Sequence, residues 1–193
     1  MLRESPLLAM HYPQSPRFRV FADRICRSPL GKMCAVLSAV FLSTGQPVRG
    51  ATFTWDVTPG AVGAGNGTVE GGNGTWDILT GNWTTDAGVN NVLWGNTNAD
   101  EAIFGGTAGT LTINTGSGIT ANKLTFNVDG YVVNGNIAAD VLTLAGTTPT
   151  IAVTTAGHTA TIGAALAGSA GFTKTGDGIL TLNAASAYTS IPR

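Results

Sequence analysis

One small pattern governs the second half of this chain: an apolar residue, a threonine and a second apolar residue, with glycine turns between copies. Leu111-Thr112-Ile113, Leu124-Thr125-Phe126, Leu142-Thr143-Leu144 and Leu180-Thr181-Leu182 share it, and Ala160-Thr161-Ile162 is a weaker fifth copy. In a strand, the two apolar residues of each triplet face one side and the threonine faces the other. The spacing predicts Thr112, Thr125, Thr143, Thr161 and Thr181 toward solvent. Leu124, Phe126, Leu142, Leu144, Leu180 and Leu182 are then expected in one core. Recurrent glycine and β-branched residues argue against long helices. Turns such as Asp129-Gly130 and Asn134-Gly135-Asn136 separate the short apolar segments.

The central threonines lie 13, 18, 18 and 20 residues apart. Further short strands are expected between them at Tyr131–Val133, Ile151–Val153 and Phe172–Lys174. A recurrence near 18–20 residues with three strands per turn describes an all-β fold, a parallel β-helix (β-solenoid) of about five coils over residues 101–190. A β-sandwich is the alternative, because strands every 8–12 residues also suit it.

The first 50 residues have a different character. They carry seven Lys or Arg against two acids, while residues 51–193 carry three basic residues against nine acids. Arg17, Arg19, Arg24, Arg27 and Lys32 precede the apolar run Met33–Leu42, and small residues follow at Gly50-Ala51. That order describes a signal peptide with a long basic n-region over residues 1–50. A run of ten residues spans only about 15 Å as a helix, too short for a membrane anchor. Both cysteines, Cys26 and Cys34, fall in this leader. The remainder must hold together by burial and backbone hydrogen bonding, without disulfides. Its acidity argues against nucleic acid as a partner. Residues 191–193 read as a tail.

Residues 51–100 hold all four tryptophans, Trp55, Trp76, Trp83 and Trp94. They are expected to form an N-terminal cap over the first coil. The alternative is a sugar-stacking platform, with Trp76 and Trp83 as the glycan contacts, since aromatic faces suit carbohydrate C–H surfaces.

Lys174-Thr175-Gly176-Asp177-Gly178-Ile179-Leu180-Thr181-Leu182, with Tyr188 after it, resembles the repeat of autotransporter-associated β-strand repeat proteins of bacteria. Asn82-Trp83, Ala102-Ile103-Phe104-Gly105 and Gly130-Tyr131 ahead of Asn134-Gly135 are also similar to that family. Ala184, Ser186 and Ser190 depart from its final turn. The resemblance implies an exported structural or adhesive passenger-type module, at the cell surface or outer membrane or secreted, and periplasmic if it travels no further. In that family the repeat, here Lys174, Thr175, Gly176, Gly178, Leu180, Leu182 and Tyr188, is a structural unit. The expected partners are cell-surface glycans or proteins, and further β-repeats or like chains at open coil ends.

No catalytic, metal or cofactor site is expected. Gly71-Gly72-Asn73-Gly74-Thr75-Trp76-Asp77 comes within one residue of a Ca²⁺-binding nonapeptide, but Trp76 stands where the ligand aspartate belongs. Ser169, His158 and Asp140 could be imagined as a triad, without the Gly-x-Ser-x-Gly elbow that would support it. The alternative function is a carbohydrate-binding or carbohydrate-active β-helix, which two carboxylates such as Asp129 and Asp140 could serve.

Overall fold

The computed structural model describes residues 50–184 and the backbone of Ala187 and Tyr188. The proposed leader lies outside the described residues. Five strands build one sheet by parallel stacking: β1 (Thr52–Trp55), β5 (Glu101–Phe104), β8 (Lys123–Phe126), β11 (Thr150–Val153) and β14 (Thr173–Thr175). Five more build a second: β2 (Gly74–Trp76), β6 (Thr110–Ile113), β9 (Tyr131–Gly135), β12 (Thr159–Ile162) and β15 (Ile179–Leu182). The third sheet holds β7 (Ile119–Ala121), β10 (Leu142–Leu144), β13 (Leu166–Gly168) and β16 (Ala187–Tyr188). The chain visits the three sheets in turn, which makes a β-solenoid and rules out the sandwich.

Each coil sits in register on the last. Leu124 lies beside Ala102 and Ile151, and Phe126 beside Phe104 and Val153. Phe104 and Phe126 stack with ring centroids 4.5 Å apart at 12°, as neighbouring strand spacing dictates. On the second sheet Leu111, Val133 and Ile162 form one inward row, and on the third Ile119, Leu142 and Leu166 do the same. All are buried, so the core is a stack of like residues from successive coils.

The coil count corrects the expectation. The structure has about four turns, not five. Glu101 pairs with Lys123, 22 residues on; Lys123 with Thr150, 27 on; and Thr150 with Thr173, 23 on. The 18-residue spacing joined triplets on different faces: Thr125 is on the first sheet, Thr143 on the third, and Thr112, Thr161 and Thr181 on the second. A triplet that marks any strand recurs faster than the coil itself.

Two short strands depart from the parallel pattern. β3 (Trp83–Thr84) and β4 (Asn91–Val92) form a hairpin that continues the first sheet antiparallel to β1. The parallel stack also reaches into residues 51–100, because β1 pairs with β5 and β2 with β6. That region therefore contributes a two-stranded partial coil as well as the hairpin over it.

Candidate functional site

The solenoid presents small polar side chains outward. One row on the first sheet runs Thr52, Glu101, Lys123, Thr150 and Thr173. A row on the second runs Thr110, Val132, Thr161 and Thr181. The five threonines of the repeated triplets are all half-exposed, as their alternation requires. Charge on these faces is sparse. Among the described residues one ion pair is present, Lys123 Nζ to Glu101 Oε2 at 4.0 Å across adjacent coils. Such faces can recognise a partner through many hydroxyl and backbone hydrogen bonds, each of modest strength.

Acidic and amide side chains at the corners are committed to the backbone. Asp129 Oδ1 accepts from the Thr159 N–H at 2.6 Å, and Asn73 Oδ1 accepts from the Thr110 N–H at 2.7 Å, in each case one coil on. Buried Asp100 accepts from the N–H groups of Ala51 and Thr97. Buried Asp140 accepts from Thr115, Gly116 and Ile137 N–H groups and from the Thr115 hydroxyl. Burial alone would raise its pKa, but those donors outweigh it and hold the carboxyl below the ordinary value. These residues staple one coil to the next.

The weaker chemical candidates find ordinary roles. Trp76 points into the core, and Asp77 caps the following turn through the N–H groups of Leu79 and Thr80 and the Thr80 hydroxyl. Among the described residues, no three or more His, Cys, Asp or Glu side chains gather as a metal cage. Asp140 is bound to Thr115, Gly116 and Ile137, and no hydrogen bond joins it to His158. His158 holds its turn through backbone bonds to Thr155 and Ile179.

The repeat motif explains its own composition. Lys174 lies in register with Ile151, at the end of an inward row. Its ammonium turns back and donates to the Gly176 carbonyl at 2.5 Å and to the Gly178 carbonyl. Gly176 adopts φ +74, and a Cβ there would lie 2.2 Å from the Val153 carbonyl oxygen, so glycine is required. Leu180 and Leu182 register with Ala160 and Ile162 on the inward side, yet Leu182 is 42% exposed. Their direction follows the expectation and the burial of Leu182 does not, since no further coil lies over it among the described residues. Thr175 continues the outward row of Thr125 and Ala152, and Tyr188 pairs with Gly168.

The tryptophans form a single aromatic cluster. Trp83 lies 5.0 Å from Trp55, 5.0 Å from Trp76 and 4.7 Å from Trp94, ring centre to ring centre. Trp76 and Trp83 are wholly buried, so neither ring offers a face on which a sugar could stack. The glycan-contact reading of these two residues is therefore corrected. Trp55 Nε1 donates to the Gly72 carbonyl and Trp94 Nε1 to the Thr120 carbonyl, fixing the cluster's rim.

One constellation was not anticipated. Asp56, just after β1, is fully buried against Glu70, fourteen residues along. Alternation places Asp56 outward, and nothing in its sequence neighbourhood announces the loop that returns to cover it.

Comparison with known proteins places these features. The chain is 50% identical over 95 residues to the adhesin BmaC autotransporter of Brucella suis biovar 1 (strain 1330). The matched stretch is 49% of this chain and 2% of that protein. No family model matches the chain, and no solved structure matches it. An autotransporter relative together with stacked parallel coils bears out the resemblance to passenger β-helix repeats.

Proposed function

We propose that this chain is an adhesive passenger-type β-repeat module, exported and presented at the cell surface, that binds through its outward sheets and not through a catalytic pocket. The observation that carries the reading is the 50% identity to an autotransporter adhesin over 95 residues. The solenoid is compatible with it: polar rows on flat, stacked sheets suit extended contact with a surface glycan or protein. Carboxylates tied up as coil staples leave few groups free for acid–base chemistry, which supports a role without catalysis. The basic n-region and the apolar run Met33–Leu42 support export through a cleaved leader.

The test is retention. Inert beads coated with the purified protein should bind a cultured cell monolayer several-fold above beads coated with an unrelated β-solenoid. Thr125→Arg with Thr150→Arg, which alters one outward face, should reduce binding without unfolding the coils. Equal retention of the two kinds of bead would remove the adhesive reading. Turnover of a polysaccharide panel that vanished with Asp129→Asn would replace it with the carbohydrate-active one.

A further inference from the structure

The Val57–Gly71 segment is held over the cap in an unusual way. Asp56 has the same parity as Thr54, so its side chain leaves the aromatic cluster and stands on the outer side of β1. The chain then loops away and runs beside the β3–β4 hairpin. There the Gly63 N–H donates to the Asn91 carbonyl at 2.7 Å, the Asn91 N–H to the Ala64 carbonyl at 2.6 Å, and the Gly67 N–H to the Gly88 carbonyl at 2.9 Å. It returns across Asp56, and the Glu70 N–H reaches Asp56 Oδ1 at 3.5 Å. Asp56 Oδ2 and Glu70 Oε2 are both buried, and no donor from the rest of the described protein reaches either atom.

Among the described residues, no positive charge is paired with either carboxylate. Residues 50–122 contain no Lys, Arg or His. On the loop itself, Asn66 Nδ2 donates to Glu70 Oε1 at 2.6 Å. From the hairpin, Asn91 Nδ2 donates to the Asp56 and Gly81 carbonyls, and Asp86 is anchored on Thr84 and Asn90. From the next coils come Tyr131, whose hydroxyl donates to the Gly105 and Thr107 carbonyls beside Gly71, and Lys123, which is paired with Glu101. Asp56 is fully buried and Glu70 half-buried, with one oxygen of each shut off from water, and two such neighbouring carboxylates without a counter-ion repel unless one of them is protonated.

We infer that Asp56 and Glu70 share one proton, and that this proton clasps the Val57–Gly71 segment onto the cap at mildly acidic pH and loosens it as the pair ionises. Burial first, then hydrogen bonding to Glu70, push Asp56 up to about 6, against the lowering effect of the Glu70 and Thr58 N–H groups. The Asn66 amide first, then Asp56, hold Glu70 below its ordinary value. The folded value for Asp56 lies above the 3.8 of a free aspartate, so its stabilisation is complete below 3.8 and is lost as pH rises through about 6. Glu70 acts oppositely: its contribution is present above 4.5 and fades as pH falls through its lowered value. The clasp is therefore tightest near pH ~4, around the two free values of 3.8 and 4.5, and weakens from there as pH rises toward about 6.

Amide hydrogen exchange on the full chain, normalised to intrinsic exchange chemistry, reads this directly. From pH 5 to 7.5, protection of peptides within residues 57–71 should fall about tenfold, while β8 stays unchanged. In Asp56→Asn the amide donates to Glu70 at every pH, so protection should stay within about twofold. Glu70→Gln should behave the same way, and near-UV dichroism of the tryptophans reports that each variant folds. Protection in the unmutated protein that does not change with pH would overturn the inference. So would protection at pH 7.5 restored by millimolar CaCl₂, which would put a cation where we place the proton.

Discussion

The two ends of the described solenoid are finished differently. At the first, four tryptophans with Phe53 and Phe104 close the inward row, and an antiparallel hairpin lies across them. At the last described coil the inward row ends in Lys174 on one sheet and half-exposed Leu182 on another. In a quasi-one-dimensional fold each coil is stabilised mainly by its neighbours, so an end needs either a cap or another coil. The comparison separates two devices. The first end removes apolar surface from water with large rings. The last turns a lysine back onto its own turn and leaves leucine in contact with water.

The largest expected effect lies between the ends, where a coil has neighbours on both sides. Leu142→Asp places an unpartnered charge in a fully buried row and should cost more than about 4 kcal/mol. Thr143→Asp, one residue on and facing out, should cost less than about 1 kcal/mol. Urea titrations of both variants followed by far-UV dichroism measure the difference, and equal losses would defeat the inward and outward assignment.

The contrast between the ends comes next. Trp83→Ala removes the ring at the centre of the cap and should cost about 3–5 kcal/mol. Leu182→Ala, at a position 42% exposed, should cost no more than about 1 kcal/mol. Similar losses from the two would mean that the last coil is covered in solution as thoroughly as the first. Lys174→Met keeps the length of the side chain but loses the two carbonyl contacts, and should cost about 1 kcal/mol because the ammonium is largely exposed. A neutral outcome would make the motif's lysine dispensable to this turn.

How much of this the sequence revealed depended on whether a feature is local. Leu142 and Leu144 could be assigned to the core because alternation is set by the strand itself. The coil period could not be read from the triplets, because Thr125 and Thr143 carry the same local pattern on different sheets. The expectation of a cap for the tryptophans followed from their size, whereas the hairpin that carries Trp83, Trp83–Thr84 against Asn91–Val92, rests on a pairing that two-residue strands barely signal. The Asp56–Glu70 pair was the least legible. It depends on a glycine-rich loop returning over β1, and the only hint in the sequence is the absence of any basic residue between 50 and 122.

The smallest effect has the opposite sign and tests how tightly the cap is determined. Ala87, in the turn between β3 and β4, adopts φ 59, a left-handed conformation that costs an alanine about 1 kcal/mol or more. It is held there by its neighbours: the Asp86 and Gly88 N–H groups both donate to Thr84 Oγ1, and Asp86 is fixed in turn by Asn90. Those bonds to Asn90, with the Thr84 hydroxyl, also keep the Asp86 carboxyl below its ordinary value. Ala87→Gly relieves the strain but adds freedom to the unfolded chain, so the net gain should be about 0.5 kcal/mol. Because the gain is confined to the cap, hydrogen exchange should slow in residues 83–92 while β12 is unaffected. A loss of protection at the hairpin would show that the Ala87 methyl makes a packing contribution larger than the strain it bears.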